Sequence, residues 1–96
     1  MDNYKVNVEA KEDLRRIYNY GVLKFGIKQA DKYFNTFFEH FEKIAQNPLS
    51  FQSVDFIRKG YRRCPCGSDS IYYKIENGVI EIMAIIGSQD FDSKSI

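Results

Sequence analysis

The side chains best suited to chemistry form a basic cluster in the second half of the chain. A guanidinium presents a planar fork of donors and stacks on aromatic rings, so it binds carboxylates and phosphates well. Mixtures of Tyr and Arg are also enriched in protein interfaces. The alternative is a solvated strand edge without a binding role. The sequence therefore predicts an electropositive binding patch beside Tyr61 and Tyr72, made of Arg58, Lys59, Arg62 and Arg63.

Candidates for acid–base catalysis are scarce. His40 is the only histidine, and it falls off the apolar side of its predicted helix, so we expect it to face solvent. Cleavage of RNA without a metal needs a group that activates the 2′-hydroxyl, a group that protonates the leaving oxygen, and cations for the phosphate. The basic cluster supplies only the cations. We therefore assign no catalytic residue.

The two cysteines, Cys64 and Cys66, are separated by Pro65. A disulfide between them would close a very tight and strained loop. Two thiolates are half of a zinc site, and the chain has one histidine. We expect two reduced structural thiols, no metal and no cofactor, in a reducing compartment.

The residues after the last predicted strand have two interpretations. Gln89, Asp90 and Phe91 can be a frayed polar tail. Alternatively, an aromatic ring between two acidic residues, just past a buried strand, can anchor a partner or dock back on the helices. We keep the three residues as candidates for binding.

Composition limits the class of protein. The chain has 96 residues, 44% of them hydrophobic and 28% charged, which predicts one folded domain over residues 1–96. A net charge of +1 gives no reason to expect direct sequence-specific binding of nucleic acid. There is no apolar run of the ~20 residues that a membrane helix needs, and the N-terminus lacks the apolar core of a signal peptide. We expect a cytoplasmic protein without a membrane contact.

Periodicity predicts a strand and two helices in the first half. Apolar residues alternate from Tyr4 to Val8, and then follow helical spacing from Ala10 until Gly26 ends the first helix. A second helix has an apolar stripe from Ala30 to Ala45 and ends at Asn47-Pro48. The short connection makes the helices an antiparallel hairpin. Gly21 permits a close approach between them.

The second half predicts an antiparallel meander of three strands. Residues 49–56 look irregular, and Ile57 to Cys66 is the first strand, weakened by Gly60 and Pro65. Asn77-Gly78 is a strong signal for a type I′ hairpin turn. Its register places Ile75 opposite Ile80, Lys74 opposite Glu81, Tyr73 opposite Ile82 and Ile71 opposite Ala84. One face then collects the apolar residues for the helices to cover: Ile71, Tyr73, Ile75, Ile80, Ile82, Ala84 and Ile86. The other face is expected to be less apolar and partly open. The fold class is α+β.

This order of elements resembles the RelE/ParE superfamily, and short motifs resemble its ParE branch. The first helix is similar to the ParE pattern of Ala, Asp-Leu, Ile and Tyr, here Ala10, Asp13-Leu14, Ile17 and Tyr20. Further similar motifs follow in family order: Phe25-Gly26, Ala30, Tyr33, Ile44 to Pro48, Ile57 to Arg62, Gly67, Ile71-Tyr72-Tyr73 and Ile85 to Phe91. The resemblance covers residues 4–92 and depends on the order and spacing of the motifs together.

The resemblance implies the toxin of a type II toxin–antitoxin pair. The ParE branch implies inhibition of DNA gyrase by protein–protein contact, a ParD-like antitoxin whose C-terminal segment wraps the toxin, and a toxin–antitoxin hetero-oligomer. We expect the basic patch to contact the antitoxin or the target, with acidic residues of the antitoxin meeting Arg58, Arg62 and Arg63. The RelE branch implies a ribosome-dependent mRNA endoribonuclease instead, but its C-terminal Tyr or His is missing after Ile86. A third alternative is an inactive toxin-fold binding protein.

The chain departs from its relatives at two places. Many relatives carry Arg where Ala84 stands, and Arg or His-Gln near Gly87-Ser88. Neutral residues here imply either a weaker toxin or a different placement of its charge.

Overall fold

The computed structural model describes residues 4–87 and has the predicted α+β fold: a strand, a helical hairpin and an antiparallel meander. A short strand β2 was not predicted, since its region reads as irregular in the sequence. Neither helix in the described range has the length and apolar composition needed to cross a membrane. The elements in chain order are β1 (Tyr4–Val6), α1 (Val8–Phe25), α2 (Ile27–Gln46), β2 (Gln52–Ser53), β3 (Tyr61–Cys66), β4 (Asp69–Glu76) and β5 (Val79–Gly87).

An N-cap residue and two glycines determine where the helical hairpin begins and turns. Asn7 is the N-cap of α1, because its side-chain oxygen accepts a hydrogen bond from the backbone N–H of Glu9 at 2.8 Å. Gly26 alone separates the helices. Gly21 allows their close approach: a Cβ added there would lie 3.3 Å from the Cβ of Ala30. The predicted role of Gly21 is therefore confirmed.

The five strands form one sheet with the order β1-β5-β4-β3-β2. The strand β1 is parallel to β5, with Tyr4 opposite Ile80 and Val6 opposite Ile82. The remaining pairs are antiparallel. The first and last strands of the described chain are therefore neighbours, and the helical hairpin is the crossover between β1 and the meander.

The hairpin of β4 and β5 has the predicted turn and the predicted register close to it. Asn77 and Gly78 have φ values of 54° and 77°, as a type I′ turn requires. The pairs from Glu76–Val79 to Tyr73–Ile82 match the prediction. Lys74 and Glu81 face each other with Nζ and Oε1 4.0 Å apart.

Beyond Tyr73 the predicted register is wrong. A bulge at Met83 places Tyr72 opposite Ala84 and Ile71 opposite Ile85, instead of Ile71 opposite Ala84. The extra residue reverses which side chains of β5 face the helices beyond the bulge. Ile85 therefore enters the core under the helices, whereas Ala84 and Ile86 lie on the other face.

The main core lies between the helices and one face of the sheet. Phe37, Phe41 and Ile44 from the predicted stripe of α2 are fully buried. They pack with the first three turns of α1 and with inward side chains of the strands, among them Ala10, Leu14, Cys64, Cys66, Ile71, Tyr73, Ile80, Ile82 and Ile85. The predicted covering of this face by the helices is confirmed.

The opposite face of the sheet carries a second, smaller apolar cluster. The predicted strand over residues 57–66 begins only at Tyr61, because residues 54–60 form a turn that folds against this face. Val54 is buried beneath the turn, and Ile57 packs on the cluster. The other buried members are Tyr61, Tyr72, Ala84 and Ile86. This face is thus more apolar and better covered than expected.

Candidate functional site

The predicted basic patch is divided between the two faces of the sheet. Arg62 and Arg63 are adjacent in β3, and successive strand side chains point to opposite faces. Arg62 shares the helix-covered face with Cys64, whereas Arg63 shares the open face with Tyr61. The two arginines therefore do not form one surface, and the single patch of the sequence prediction is corrected to two sites.

Arg62 stabilises the connection between α2 and β2. Its Nη1 donates to the carbonyl oxygen of Phe51 at 2.7 Å and lies 3.4 Å from that of Leu49. The hydroxyl of Tyr73 donates to the carbonyl oxygen of Pro48 at 2.6 Å in the same connection. A guanidinium committed to these backbone acceptors supports the fold more directly than it serves a partner.

Arg58 lies in the exposed turn that precedes β3. Its guanidinium carbon is 5.9 Å from the centre of the Tyr61 ring, within reach of a cation–π contact. The turn is held by the carboxylate of Asp55, which accepts from Gly60 N–H at 2.8 Å, and by hydrogen bonds from Ile57 and Arg58 to the carbonyl of Val54. A fixed turn thus presents Arg58 to solvent on the open face.

The open-face groove lies between this turn and the end of the sheet and has a volume of about 320 Å³. Arg63 is the charged residue among those that line it, and its Nε donates to Ser70 Oγ at 3.0 Å. That bond fixes the guanidinium at the wall of an otherwise largely apolar groove. The lining residues are Gln52, Val54, Phe56, Ile57, Arg63, Ser70, Tyr72, Ile86 and Gly87.

The two tyrosines of the predicted site are mostly covered. Tyr61 is 6% exposed and Tyr72 is 5% exposed, so both rings belong to the second apolar cluster. Tyr72 forms part of the groove floor. Their expected position beside the patch is correct, but they support the groove from below and do not project from it.

The three predicted tail residues, Gln89, Asp90 and Phe91, lie outside the described residues. Gly87, the last residue of β5, lines the open-face groove. Their proposed binding role stays a prediction.

His40 is not the solvent-facing side chain that was expected. Its Nδ1–H donates a hydrogen bond to the carbonyl oxygen of Thr36 at 2.8 Å, and Nδ1 lies 3.6 Å from Cys66 Sγ. The ring is partly buried against β3, on the face covered by the helices. The sheet therefore separates the imidazole from Arg63, and the two do not form an acid–base site.

Both cysteines are free and buried. Burial raises the pKa of Cys64 to about 11, and the neighbouring Cys66 adds to the rise. Burial also raises the pKa of Cys66, while the hydrogen bond with Thr36 opposes this effect. These thiols are protonated and poor nucleophiles at neutral pH. Within residues 4–87 no group of His, Cys, Asp or Glu has the arrangement of a metal site.

A second groove lies along the helical hairpin and has a volume of about 550 Å³. This hairpin groove has an apolar floor and a rim of Lys11, Arg15 and Asp31. Its lining residues are Val6, Lys11, Leu14, Arg15, Tyr18, Asp31, Phe34 and Phe38.

Apart from Tyr72, sequence reasoning named none of the apolar residues in these grooves as site residues. For the hairpin groove, Phe34 and Phe38 are part of the apolar stripe, and their incomplete burial was the missing information. For the open-face groove, the sequence signal was the apolar pair Phe56-Ile57 inside a loop. Phe56 is 80% exposed and lines the groove together with Ile57.

Comparisons with known proteins agree with the fold. The model of one protein family, described as the ParE toxin of the type II toxin–antitoxin system parDE, matches residues 4–90. Toxin ParE1 of Caulobacter vibrioides is 34% identical over 87 residues, which is 90% of this chain and 88% of that protein. Toxin ParE1 of Mycobacterium tuberculosis is 26% identical over 84 residues, 86% of each chain.

A solved structure from the chromosomal ParDE TA system of P. aeruginosa superposes with a TM-score of 0.80 at 21% identity. The match covers 91% of this chain and 96% of the other. At this identity the likeness concerns the fold.

Proposed function

Because this chain belongs to the ParE toxin family of type II toxin–antitoxin systems, we propose that it acts in the cytoplasm by protein contact with DNA gyrase and is neutralised by a ParD-like antitoxin. The relatives named above are ParE1 toxins, and the superposed structure comes from a ParDE system. The gyrase target follows from the ParE resemblance of the sequence.

The open-face groove is the observation that supports a contact mechanism. Its apolar walls and the fixed guanidinium of Arg63 suit a protein segment with an apolar side chain beside a carboxylate. Arg58 and Lys59 lie exposed on the adjoining turn and extend the positive charge past the groove. We assign this groove to the target.

The endoribonuclease alternative is supported by the same cations, since they would also bind phosphate. The described residues place no acid–base group beside these cations, and RNA cleavage would need one. The only histidine is on the far side of the sheet, and Tyr72 is buried in the groove floor. The contact mechanism needs no such group and is therefore preferred.

The hairpin groove is the proposed antitoxin site. An apolar channel between two helices accepts one face of an amphipathic helix. The strand β1 is the edge strand on the same side of the molecule, because its residue Val6 lines this groove. An antitoxin helix in the groove, continued by a strand along β1, would use both surfaces. The resulting complex would be a toxin–antitoxin hetero-oligomer.

Arg63→Gln tests the assignment of the open-face groove. Glutamine keeps a donor for Ser70 but removes the positive charge. We expect inhibition of gyrase supercoiling to weaken by about tenfold or more, the size of one lost charge-assisted hydrogen bond. Affinity for the antitoxin should stay within about twofold, as for a separate site. A supercoiling assay and calorimetry measure the two effects.

Lys32→Gln is the matched control, because it removes an exposed charge on α2 that belongs to neither groove. An in vitro translation assay with the wild-type chain runs in parallel. Site-specific cuts in the message without inhibition of gyrase would establish the endoribonuclease instead. Equal loss in both variants would show that general charge, and not the groove, determines binding.

A further inference from the structure

The distal end of the helical hairpin extends past the sheet. The buried residues of α1 end at Ile17, and those of α2 begin again only at Phe37 apart from Ala30, which packs on Gly21. Residues 23–29 are all exposed. We call residues 20–28 the hairpin tip. Neither the open-face groove nor the hairpin groove includes any residue of this tip.

The hairpin tip exposes a cluster of large apolar side chains. Leu23 is 88% exposed, Phe25 64%, Ile27 62% and Tyr20 59%. Single exposed apolar residues are ordinary, but four of them within one turn region form a patch of the kind that marks an interaction surface. Burial of these side chains contributes little to the fold, because more than half of each one is exposed.

The charge of the hairpin tip has one sign. Between residues 17 and 30 the chain contains Lys24 and Lys28 and no acidic residue. The Nζ of Lys24 lies 6.0 Å from the centre of the Tyr20 ring, so the cation lies next to the apolar patch. At Gly26 the negative end of the α1 dipole meets the positive end of the α2 dipole, and their charges offset each other. Side chains therefore set the positive charge of the tip.

The hairpin tip is also rigidly held. The contact of Gly21 with Ala30 fixes the distance between the helices, and the hydroxyl of Tyr18 donates to Asp31 Oδ1 at 2.7 Å across the hairpin. A rigid surface loses little conformational entropy when it binds. The two contacts hold the helices together at the base of the tip.

We propose that the hairpin tip is a docking surface for an acidic protein, with Leu23 and Phe25 as apolar anchors and Lys24 and Lys28 as the charges that orient the partner. A second copy of this chain is a poor occupant, because two identical tips bring four lysines together. A membrane is a poor occupant as well, because two lysines contribute only about 1 kcal/mol each at an anionic surface. The proposal does not depend on gyrase being the target.

A photo-crosslinking residue in place of Leu23, in the full chain expressed briefly in bacterial cells, tests the proposal. The matched control carries the same residue at Leu49, which is 70% exposed and lines neither groove. We expect an adduct with an acidic protein at Leu23 and not at Leu49. The purified partner should bind the wild-type chain with an affinity that falls as salt rises.

Two variants complete the test by calorimetry with the purified partner. Leu23→Ser and the pair Lys24→Glu with Lys28→Glu should each weaken binding at least about tenfold, while Leu49→Ser should leave it unchanged. All these positions are exposed, so the melting temperature should stay constant. An acidic protein that meets these criteria supports the proposal, whatever the supercoiling assay shows.

Three results would overturn it. The first is an absence of adducts at Leu23, or equal adducts at Leu23 and Leu49. The second is an adduct between two copies of this chain. The third is a partner whose affinity is unchanged in both tip variants, or cosedimentation of the chain with phosphatidylglycerol vesicles in the absence of any protein adduct.

Discussion

Asp13 is a buried carboxylate that completes the sheet from a helix. It is 4% exposed, and its Oδ2 accepts a hydrogen bond from the backbone N–H of Ile85 at 3.0 Å. The pairing of β1 with β5 ends at Ile82, so Ile85 has no strand neighbour on that side. A helix side chain thus takes the place of a strand carbonyl, and Arg16 lies 3.5 Å from the second oxygen.

Replacing Asp13 should therefore reduce stability, and the loss should depend on whether the new side chain can still accept the hydrogen bond from Ile85. Asp13→Ala leaves the N–H of Ile85 buried and unpaired, which costs about 1–3 kcal/mol. Asp13→Asn keeps an oxygen acceptor and should cost less. Urea denaturation measures both, with Glu12→Ala as a control on the exposed side of the same turn. Equal losses for Ala and Asn would show that the charge matters and the acceptor does not.

The placement of the arginines was partly readable from the sequence. The alternation of a strand requires Arg62 and Arg63 to point to opposite faces, so a single patch was never compatible with β3. The sequence could not show which arginine would be committed to the fold. That depends on the connection through Leu49 and Phe51, whose carbonyl groups reach Arg62 only after the chain folds.

At the scale of elements, the aromatic stripe of α2 was the most readable feature. Eight positions at helical spacing predicted a core-facing helix, and the rings lie as expected. Phe41 packs against Tyr4 and Phe38 with ring centres 5.5 and 5.3 Å away. Long, strongly periodic segments specify their structure locally, which explains why this prediction succeeded.

Phe37→Ala or Phe41→Ala should each destabilise the fold by about 3–5 kcal/mol, because both rings are fully buried. Phe56→Ala removes an exposed ring and should change stability by no more than about 0.5 kcal/mol. Thermal and urea denaturation of the three variants provide the comparison. If Phe37 and Phe41 tolerated Ala as well as Phe56 does, the stripe would not be the core.

The register of β5 was readable only as far as Ile82. From Ile82 to Ile86 every residue is apolar, so no polar side chain marks which residues face outward. A bulge therefore leaves no trace in the pattern. The hydrogen bond from Ile85 to Asp13 on α1 coincides with the shifted register, and this long-range contact is invisible in the local sequence.

At the scale of the whole molecule, two tyrosine hydroxyls and one thiol, each at least partly buried, make the stability of the fold vary with pH in the alkaline range. Burial raises the pKa of Tyr33 and Tyr73 to about 12, with a hydrogen bond to Asp69 adding to the rise for Tyr33. Cys64 has a pKa of about 11 for the reason given above. All three groups hold their protons more tightly in the folded chain than in the unfolded chain.

The sign of the effect follows. The stabilisation is complete below the ordinary values of 9.0 for Cys and 10.0 for Tyr, and it is lost as pH rises through about 11 to about 12. We expect the melting temperature to fall progressively over this range. Tyr73→Phe should make the fall shallower, although it begins from a less stable fold without the bond to Pro48. A melting temperature independent of pH up to about 12 would contradict this account.

The two grooves show the limit of sequence analysis at this scale. Each groove combines elements distant in the chain: Val54 with Ile86 in one, Val6 with Phe38 in the other. The sequence correctly indicated a helical hairpin and basic residues near β3. The shapes between them depend on the bulge in β5 and on the turn over residues 54–60, neither of which has a clear local signature.

The parallel pairing of β1 with β5 has a consequence for how the chain is made. Ribosomes synthesise β1 first and β5 last, and the contacts of Tyr4 with Ile80 and of Asp13 with Ile85 close nearly the whole chain. The helical hairpin has local contacts and can form early, but the sheet cannot close until its last strand has emerged. A nascent or truncated chain without β5 therefore lacks the finished surfaces, so the domain acquires its binding capacity only after β5 has been synthesised.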